Sequence, residues 1–196
     1  MKKADFRLTR EVARKLVRAE DASRRERYPF FREKPPLTEA DVEAALFGAS
    51  ARFAFWGEHP DHPRPLAEAT AGATLGQTIT YCVQYTHSDI CNGGFAQYFF
   101  NSTGNYVHLT INGLEAIGEL RRAQILTRAM SRFPNGHAPT DRAERIELIE
   151  AIDYEEDWKA WAAPIEDEYY GLDGTELGAR IRAYEKAHPS EYFLDD

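Results

Sequence analysis

The chain has 196 residues, of which 43% are hydrophobic and 12% aromatic, so it can bury one substantial core and is not disordered throughout. Its formal net charge of −8 argues against a nucleic-acid-binding body and in favour of basic partners. Two cysteines without a CxxC spacing argue against a disulfide framework, and no apolar run is long enough to cross a membrane. The N-terminus lacks the apolar stretch of a signal peptide, which predicts a cytoplasmic protein.

The charge is unevenly distributed along the chain. Residues 1–34 hold 12 Lys and Arg against 6 Asp and Glu, whereas residues 141–196 hold 17 acidic against 6 basic residues. Pro35 and Pro36 follow the basic segment and mark a boundary. The sequence therefore predicts a basic, helical N-terminal extension over residues 1–34 and an acidic body over residues 35–196.

Helical patterns begin in the basic segment and continue into the body. Apolar residues four apart predict an amphipathic helix over residues 6–20. Thr38 and Asp41 have the spacing of a capping box, which opens a helix reaching Trp56. Residues 66–88 predict one long helix, and its inward side chains are expected to be Leu75, Ile79, Cys82 and Val83.

The second half of the chain continues with helical patterns. Residues 105–118 predict a helix that ends at Gly118, and residues 119–133 predict another that stops at a Pro-Asn-Gly sequence. Helical spacing resumes over residues 141–152, and Pro164 must then occupy a kink or a first turn. A last helix is predicted from Thr175 to His188. The pattern as a whole predicts an all-α fold, a single compact multi-helix domain behind the basic extension.

Residues 91–102 read CNGGFAQYFFNS and allow two interpretations. Backbone N–H groups at the two glycines could bind an anion at a helix N-terminus. However, no phosphate-binding glycine motif is present, and no Lys or Arg lies between Arg64 and Arg121. The second interpretation is a joint in which a positive φ at glycine allows three aromatic rings to pack on one face, namely Phe95, Tyr98 and Phe99.

No pattern of catalytic or metal-binding residues is recognisable. The histidines lack ligand spacing, and Ser102, Cys82 and Cys91 lack the context of a nucleophile. The sequence therefore predicts no enzyme, no catalytic residue, no metal site and no cofactor. The alternative is a small-molecule-binding protein or uncharacterised enzyme, with a pocket near the Asn-Gly-Gly turn that would include Asn92, Gln97, Asn101, His87 and His108.

An acidic segment over residues 147–168 has one basic residue, Lys159. It is either a solvated helix face or a surface whose carboxylates imitate the phosphates of DNA. Trp158 and Trp161 are expected to anchor it in the core. On the second interpretation, the partner-binding residues are Glu150, Asp153, Glu155, Glu156, Asp157, Glu166, Asp167 and Glu168.

Four motifs follow one another along the chain: DICNGGFAQYFFNSTGNY, GLEAIG, AMSRFPNGHAPTDRAER and AHPSEYF. Through these motifs, residues 66–193 resemble the bacterial DNA-mimic protein family. The resemblance implies a helical fold, no catalytic activity, a homodimer and a basic, DNA-binding protein or transcriptional regulator as partner. Asp89 stands where that family more often has glutamate. The family signature, expected to be structural, comprises Asn92, Gly93, Gly94, Phe95, Gln97, Tyr98, Phe99, Asn101, Ser102 and Gly104.

The leading hypothesis is therefore a non-enzymatic acidic interaction protein of the DNA-mimic type, which competes with DNA for its partner. Its acidic body should bind neither nucleic acid nor membranes directly. A further alternative gives the function to residues 1–34, which could dock nucleic acid or the acidic body of a second copy.

Overall fold

A computed structural model describes residues 4–57, 64–151 and 157–195, and no strand occurs in these ranges. The predicted all-α fold is confirmed. No helix within the described ranges has the length and apolar character needed to cross a membrane. The chain forms two compact units, the first made of Met1–Thr80 with Glu185–Asp196 and the second of Tyr81–Tyr184. Residues 1–34 lie in the first unit, and the boundary at residue 34 stays a prediction.

The helices of the first unit begin where their capping residues allow. The Thr9 side chain accepts a hydrogen bond from the backbone of Val12, so the first helix starts later than predicted. Thr38 and Asp41 form the predicted capping box, with a Thr38 N to Asp41 Oδ2 distance of 2.8 Å. The helices are α1 (Arg10–Arg27), α2 (Pro29–Arg32), α3 (Glu39–Trp56), α4 (Leu66–Gly72) and α5 (Leu75–Thr78).

The core of the first unit joins α1 and α3 to the C-terminal residues. Leu8 and Phe193 form an isolated parallel bridge, in which the Leu8 N–H donates to the Tyr192 carbonyl at 3.2 Å. Tyr192 and Phe193 are fully buried in this core, so the C-terminal motif of the sequence is a packing element. The other members of the cluster are Leu8, Ala13, Val17, Val42, Leu46 and Ala49.

The prediction of one long helix over residues 66–88 is wrong. The chain leaves the helical conformation after Gly72, and Thr74 caps a new helix through a second capping box with Gln77. Leu75 is the first residue of that helix and is 48% exposed rather than inward. The helix then widens into a π-helix, Ile79–Val83, in which the other predicted inward residues are buried.

The second unit contains the later helices. Gly118 has a φ of +77° and follows the end of its helix, as predicted. Pro164 lies inside a helix, where it cannot donate a backbone hydrogen bond. The elements are α6 (Gln84–Phe100), a 3₁₀ turn (Ser102–Tyr106), α7 (Val107–Ala116), α8 (Leu120–Met130), α9 (Arg142–Glu150), α10 (Lys159–Tyr170) and α11 (Gly174–Ala187), whose last residues belong to the first unit.

Candidate interaction surface of the second unit

The Asn-Gly-Gly turn is a kink within α6. Gly93 has φ −159° and ψ 28°, and Gly94 has φ +69° and ψ −168°, a conformation that only glycine adopts readily. The three aromatic residues that follow are fully buried, as predicted for a joint: Phe95, Tyr98 and Phe99. The Phe99 ring meets Phe133 and Trp158, with centroid distances of 4.9 and 6.5 Å.

The anion beside this kink is a side chain of the protein itself. The Phe95 N–H donates to Glu166 Oε1 at 2.8 Å, and a Cβ atom at Gly94 would collide with the same carboxylate. Glu166 therefore occupies the position in which an external anion would bind. Its charge stabilises the start of the second half of α6.

A buried arginine, which the sequence prediction missed, secures the end of α6. Arg145 donates to the backbone carbonyl oxygens of Phe99 at 2.6 Å, of Asn101 at 2.9 Å and of Pro139 at 2.7 Å. Burial lowers the pKa of Arg145 to about 10, so the guanidinium is still charged at neutral pH. Gly104 leaves room for this group, because a Cβ there would lie 2.9 Å from Arg145 Nε.

Other signature residues also have internal contacts. The Asn101 amide donates to Asp89 Oδ1 at 3.0 Å, and Thr103 donates to the other oxygen of that carboxylate. Gly93 allows the Gln97 side chain to approach, since a Cβ would collide with it. Ser102 begins the 3₁₀ turn, whereas Asn92 is exposed at the kink. Asn92 and Ser102 aside, the signature residues are buried or make close internal contacts.

His87 and Cys91 lie one turn apart near the kink but do not form a nucleophilic pair. Cys91 Sγ lies 3.7 Å from His87 Nδ1 and 3.8 Å from Nε2, so the sulfur faces neither nitrogen in particular. Burial raises the pKa of the Cys91 thiol and lowers the pKa of His87, which favours the two neutral forms. His87 Nδ1 instead lies 3.1 Å from the Tyr169 hydroxyl.

His108, the last residue expected at the alternative pocket, packs against another histidine. The His108 ring stacks on His137 with centroids 4.3 Å apart. No group of three or more potential metal ligands occurs in the part of the chain that the structure describes. An open groove of about 480 Å³ contains neither His87 nor His108 and is lined by Glu115, Leu120, Arg121, Ala123, Gln124, Thr127 and Arg128.

The predicted acidic residues differ in how much of their charge is available. Glu150, Asp157 and Asp167 are exposed and have no ion pair with any described residue. Glu166 is bound at the kink, and Glu168 bridges two arginines of α8, at 2.5 Å from Arg128 Nη2. The other three predicted residues lie outside the described residues: Asp153, Glu155 and Glu156. Trp158 is buried and Trp161 half-buried, as expected for anchors of this segment.

Helix α9 carries a row of exposed carboxylates at intervals of three residues, Glu144, Glu147 and Glu150. A rise of about 1.5 Å per residue puts these carboxylates about 4.5 Å apart along the axis, against about 3.4 Å per phosphate of a DNA strand. The two arginines of α9 do not neutralise them. Arg142 donates to the Phe100 carbonyl at 2.9 Å, and Arg145 to the carbonyls at the end of α6. Glu144 and Glu147 were not among the predicted partner-binding residues.

A family model described as "DMP19-like protein" matches residues 72–188. The matched range contains the kink, the buried arginine and the acidic row of α9. No curated protein matches the chain, and no solved structure matches it.

Proposed function

Because the chain belongs to the DMP19-like family, a family of DNA-mimic proteins, we propose that it is a non-enzymatic protein that binds a basic, DNA-binding partner and competes with DNA. A transcriptional regulator is one such partner. DNA-binding proteins derive much of their affinity from phosphate charges, so an array of fixed carboxylates can occupy the same surface. The family match supports the general class, and the assignment to residues is ours.

The observation that carries the assignment is the acidic row of α9, which has no ion pair with any residue that the structure describes. Its carboxylates are exposed, regularly spaced and left unneutralised by the arginines of the same helix. We therefore assign partner binding to Glu144 and Glu147 together with the predicted acidic residues that have no internal partner. Those described are Glu150, Asp157 and Asp167, and the predicted Asp153, Glu155 and Glu156 stay in the proposal.

Glu150 supports this assignment because its position is unfavourable for the isolated helix. It is the last residue of α9, where the helix dipole disfavours a negative charge by about 0.3–1 kcal/mol. No described cation pairs with it. A charge that costs stability in the free protein is expected where a basic partner compensates for it.

Competitive elution from immobilised DNA tests the proposal. Proteins from a bacterial lysate are bound to DNA-cellulose and eluted with the purified chain, and the eluted proteins are identified by mass spectrometry. We expect the wild-type chain to release one or a few DNA-binding proteins. The triple variant Glu144→Gln, Glu147→Gln, Glu150→Gln should release at least tenfold less of them.

A matched control removes the same amount of charge elsewhere. Glu11, Glu39 and Glu43 each form an exposed ion pair in the first unit, so their replacement by Gln changes the net charge equally. This control should elute as well as the wild type. If both triple variants released equally little protein, the effect would depend on net charge alone. If neither the wild type nor the variants eluted any protein, the DNA-mimic proposal would be rejected.

A further inference from the structure

The C-terminal end of α1 and the residues after it contain cations without acidic partners. Earlier in α1, the basic side chains of Arg14, Lys15 and Arg18 each form an ion pair with a glutamate. Arg27, Arg32 and Lys34, by contrast, have no carboxylate partner among the described residues. Arg24 and Arg25 pair with Glu20 and Asp21, so the charge of residues 24–34 rests on these three cations, which exceed the two carboxylates of the segment by one.

Exposed aromatic rings accompany these cations. Tyr28 is 54% exposed and Phe30 is 61% exposed. Phe31 lies between them, with centroids 6.2 Å from Tyr28 and 5.6 Å from Phe30. The ammonium group of Lys34 lies 4.3 Å from the Phe30 ring centre. We name this surface the aromatic corner and define it as Arg27, Tyr28, Phe30, Phe31, Arg32 and Lys34.

Hydrogen bonds to backbone carbonyls hold the aromatic corner in place. Arg32 donates to the Arg25 carbonyl at 2.8 Å and to the Glu26 carbonyl at 2.5 Å, and Arg25 donates to the Lys34 carbonyl. A carbonyl orders a guanidinium without neutralising its charge. The corner is therefore preorganised, and its aromatic rings and positive charge both stay available for a ligand.

We propose that the aromatic corner binds single-stranded nucleic acid. Exposed aromatic rings beside unpaired cations can stack on bases while the cations contact the phosphates. A duplex hides the faces of its bases, and both a duplex and a membrane are extended anionic surfaces that a chain of net charge −8 repels. A short, flexible single strand can contact the corner alone.

This inference is independent of the proposed function. The aromatic corner lies outside the family match over residues 72–188 and outside the acidic row of α9. Failure of one proposal therefore leaves the other standing. The prediction that the acidic body repels nucleic acid is also unaffected, since the corner belongs to the basic segment.

Fluorescence anisotropy with a labelled oligothymidine tests the proposal on the full chain. With three cations on phosphates, log K should fall with log salt at a slope of about −2 for a single strand. The double variant Tyr28→Ala, Phe30→Ala should bind about tenfold or more weakly with the slope unchanged, because stacking is lost and the phosphate contacts remain. The double variant Arg27→Gln, Lys34→Gln should flatten the slope by about 1.4.

Matched controls separate the corner from general effects. Lys15→Gln with Arg18→Gln removes the same charge from paired residues of α1, and Leu120→Ala removes a side chain that is 57% exposed in the second unit. Both controls should bind like the wild type. Absence of oligothymidine binding at low salt would overturn the proposal, as would equal losses in variants and controls. Stronger binding to phosphatidylserine vesicles or to a duplex than to oligothymidine would also overturn it.

Discussion

Arginines are used differently on α1 and on α9. On α1, Arg14 and Arg18 reach glutamates of α3, so opposite charges cancel at the surface of the first unit. On α9, Arg142 and Arg145 reach backbone carbonyls at the end of α6, and the glutamates of the same helix have no ion pair with any described residue. The available charge of a surface therefore depends more on what its arginines bind than on the number of arginines.

The two arrangements also differ in what they contribute to stability. Exposed ion pairs are worth about 0–1 kcal/mol each, because water and salt screen them. A buried guanidinium that satisfies several carbonyls is worth much more, since its loss leaves buried acceptors without donors. The arginines of α9 thus stabilise the fold and leave the surface acidic. Substitutions on α9 and in the ion pairs between α1 and α3 test whether stability and surface charge are separated in this way.

The largest effect is expected for Arg145→Met. Loss of the buried guanidinium removes one donor from each of the carbonyls of Phe99, Asn101 and Pro139, so the free energy of unfolding should fall by about 3–5 kcal/mol. Urea denaturation measures this fall. The control Arg142→Met removes an exposed guanidinium from the same helix and should cost less than about 1 kcal/mol. Similar costs for the two variants would contradict the structural role of Arg145.

The next effect is expected for Gly94→Ala. Alanine must adopt the positive φ of this position and displace the Glu166 carboxylate, so the variant should lose about 2–3 kcal/mol of stability. Gly136→Ala is the control, since its φ is also positive but no atom lies within 4 Å of the added Cβ. That variant should lose about 1 kcal/mol. Equal losses would show that Glu166 does not contribute to the kink.

Smaller effects of opposite sign should distinguish a paired from an unpaired glutamate. Glu43→Gln removes the partner of Arg14 and should cost up to about 1 kcal/mol, whereas Glu150→Gln removes a charge opposed by the helix dipole and should gain about 0.3–1 kcal/mol. Both differences should shrink at high salt. A loss of stability in Glu150→Gln would reveal an internal partner and weaken its assignment to partner binding.

The fold could be predicted from the sequence where the pattern is local. Helical periodicity, the Thr38–Asp41 capping box and the glycine at 118 each depend on neighbouring residues, and all three are observed. The long helix over residues 66–88 was predicted wrongly because periodicity does not reveal a competing cap. Thr74 and Gln77 have the spacing of a capping box, and this pattern could have located the break.

The surface was less predictable because charge pairing depends on tertiary contacts. The sequence shows that residues 147–168 are acidic, but not that Glu166 binds the backbone of Phe95 or that Glu168 bridges two arginines. Arg145 also carried no local signal for its contacts at the end of α6, since the Phe99 and Asn101 carbonyls lie 46 and 44 residues earlier in the chain. A row of glutamates at intervals of three was visible and would have identified α9.

The smallest expected effect is a pH dependence of stability caused by His108, which has no carboxylate partner among the described residues. His108 Nε2 is buried without a hydrogen-bond partner in the described part of the chain, and burial and then the neighbouring His137 lower the pKa of His108. The unfolded chain therefore takes up the proton first as the pH falls. The stabilising effect of the neutral ring is fully present above about pH 6.5 and is lost below it, towards the lowered pKa of the folded state.

Comparison with His108→Asn isolates this contribution, because other titrating groups are common to both proteins. Asparagine is polar like the ring but does not titrate. Urea denaturation between about pH 5 and pH 8 should show the wild type losing more stability on acidification than the variant. Parallel pH profiles would mean that His108 is protonated as easily in the folded as in the unfolded state. A compensating charge would then be present at the ring.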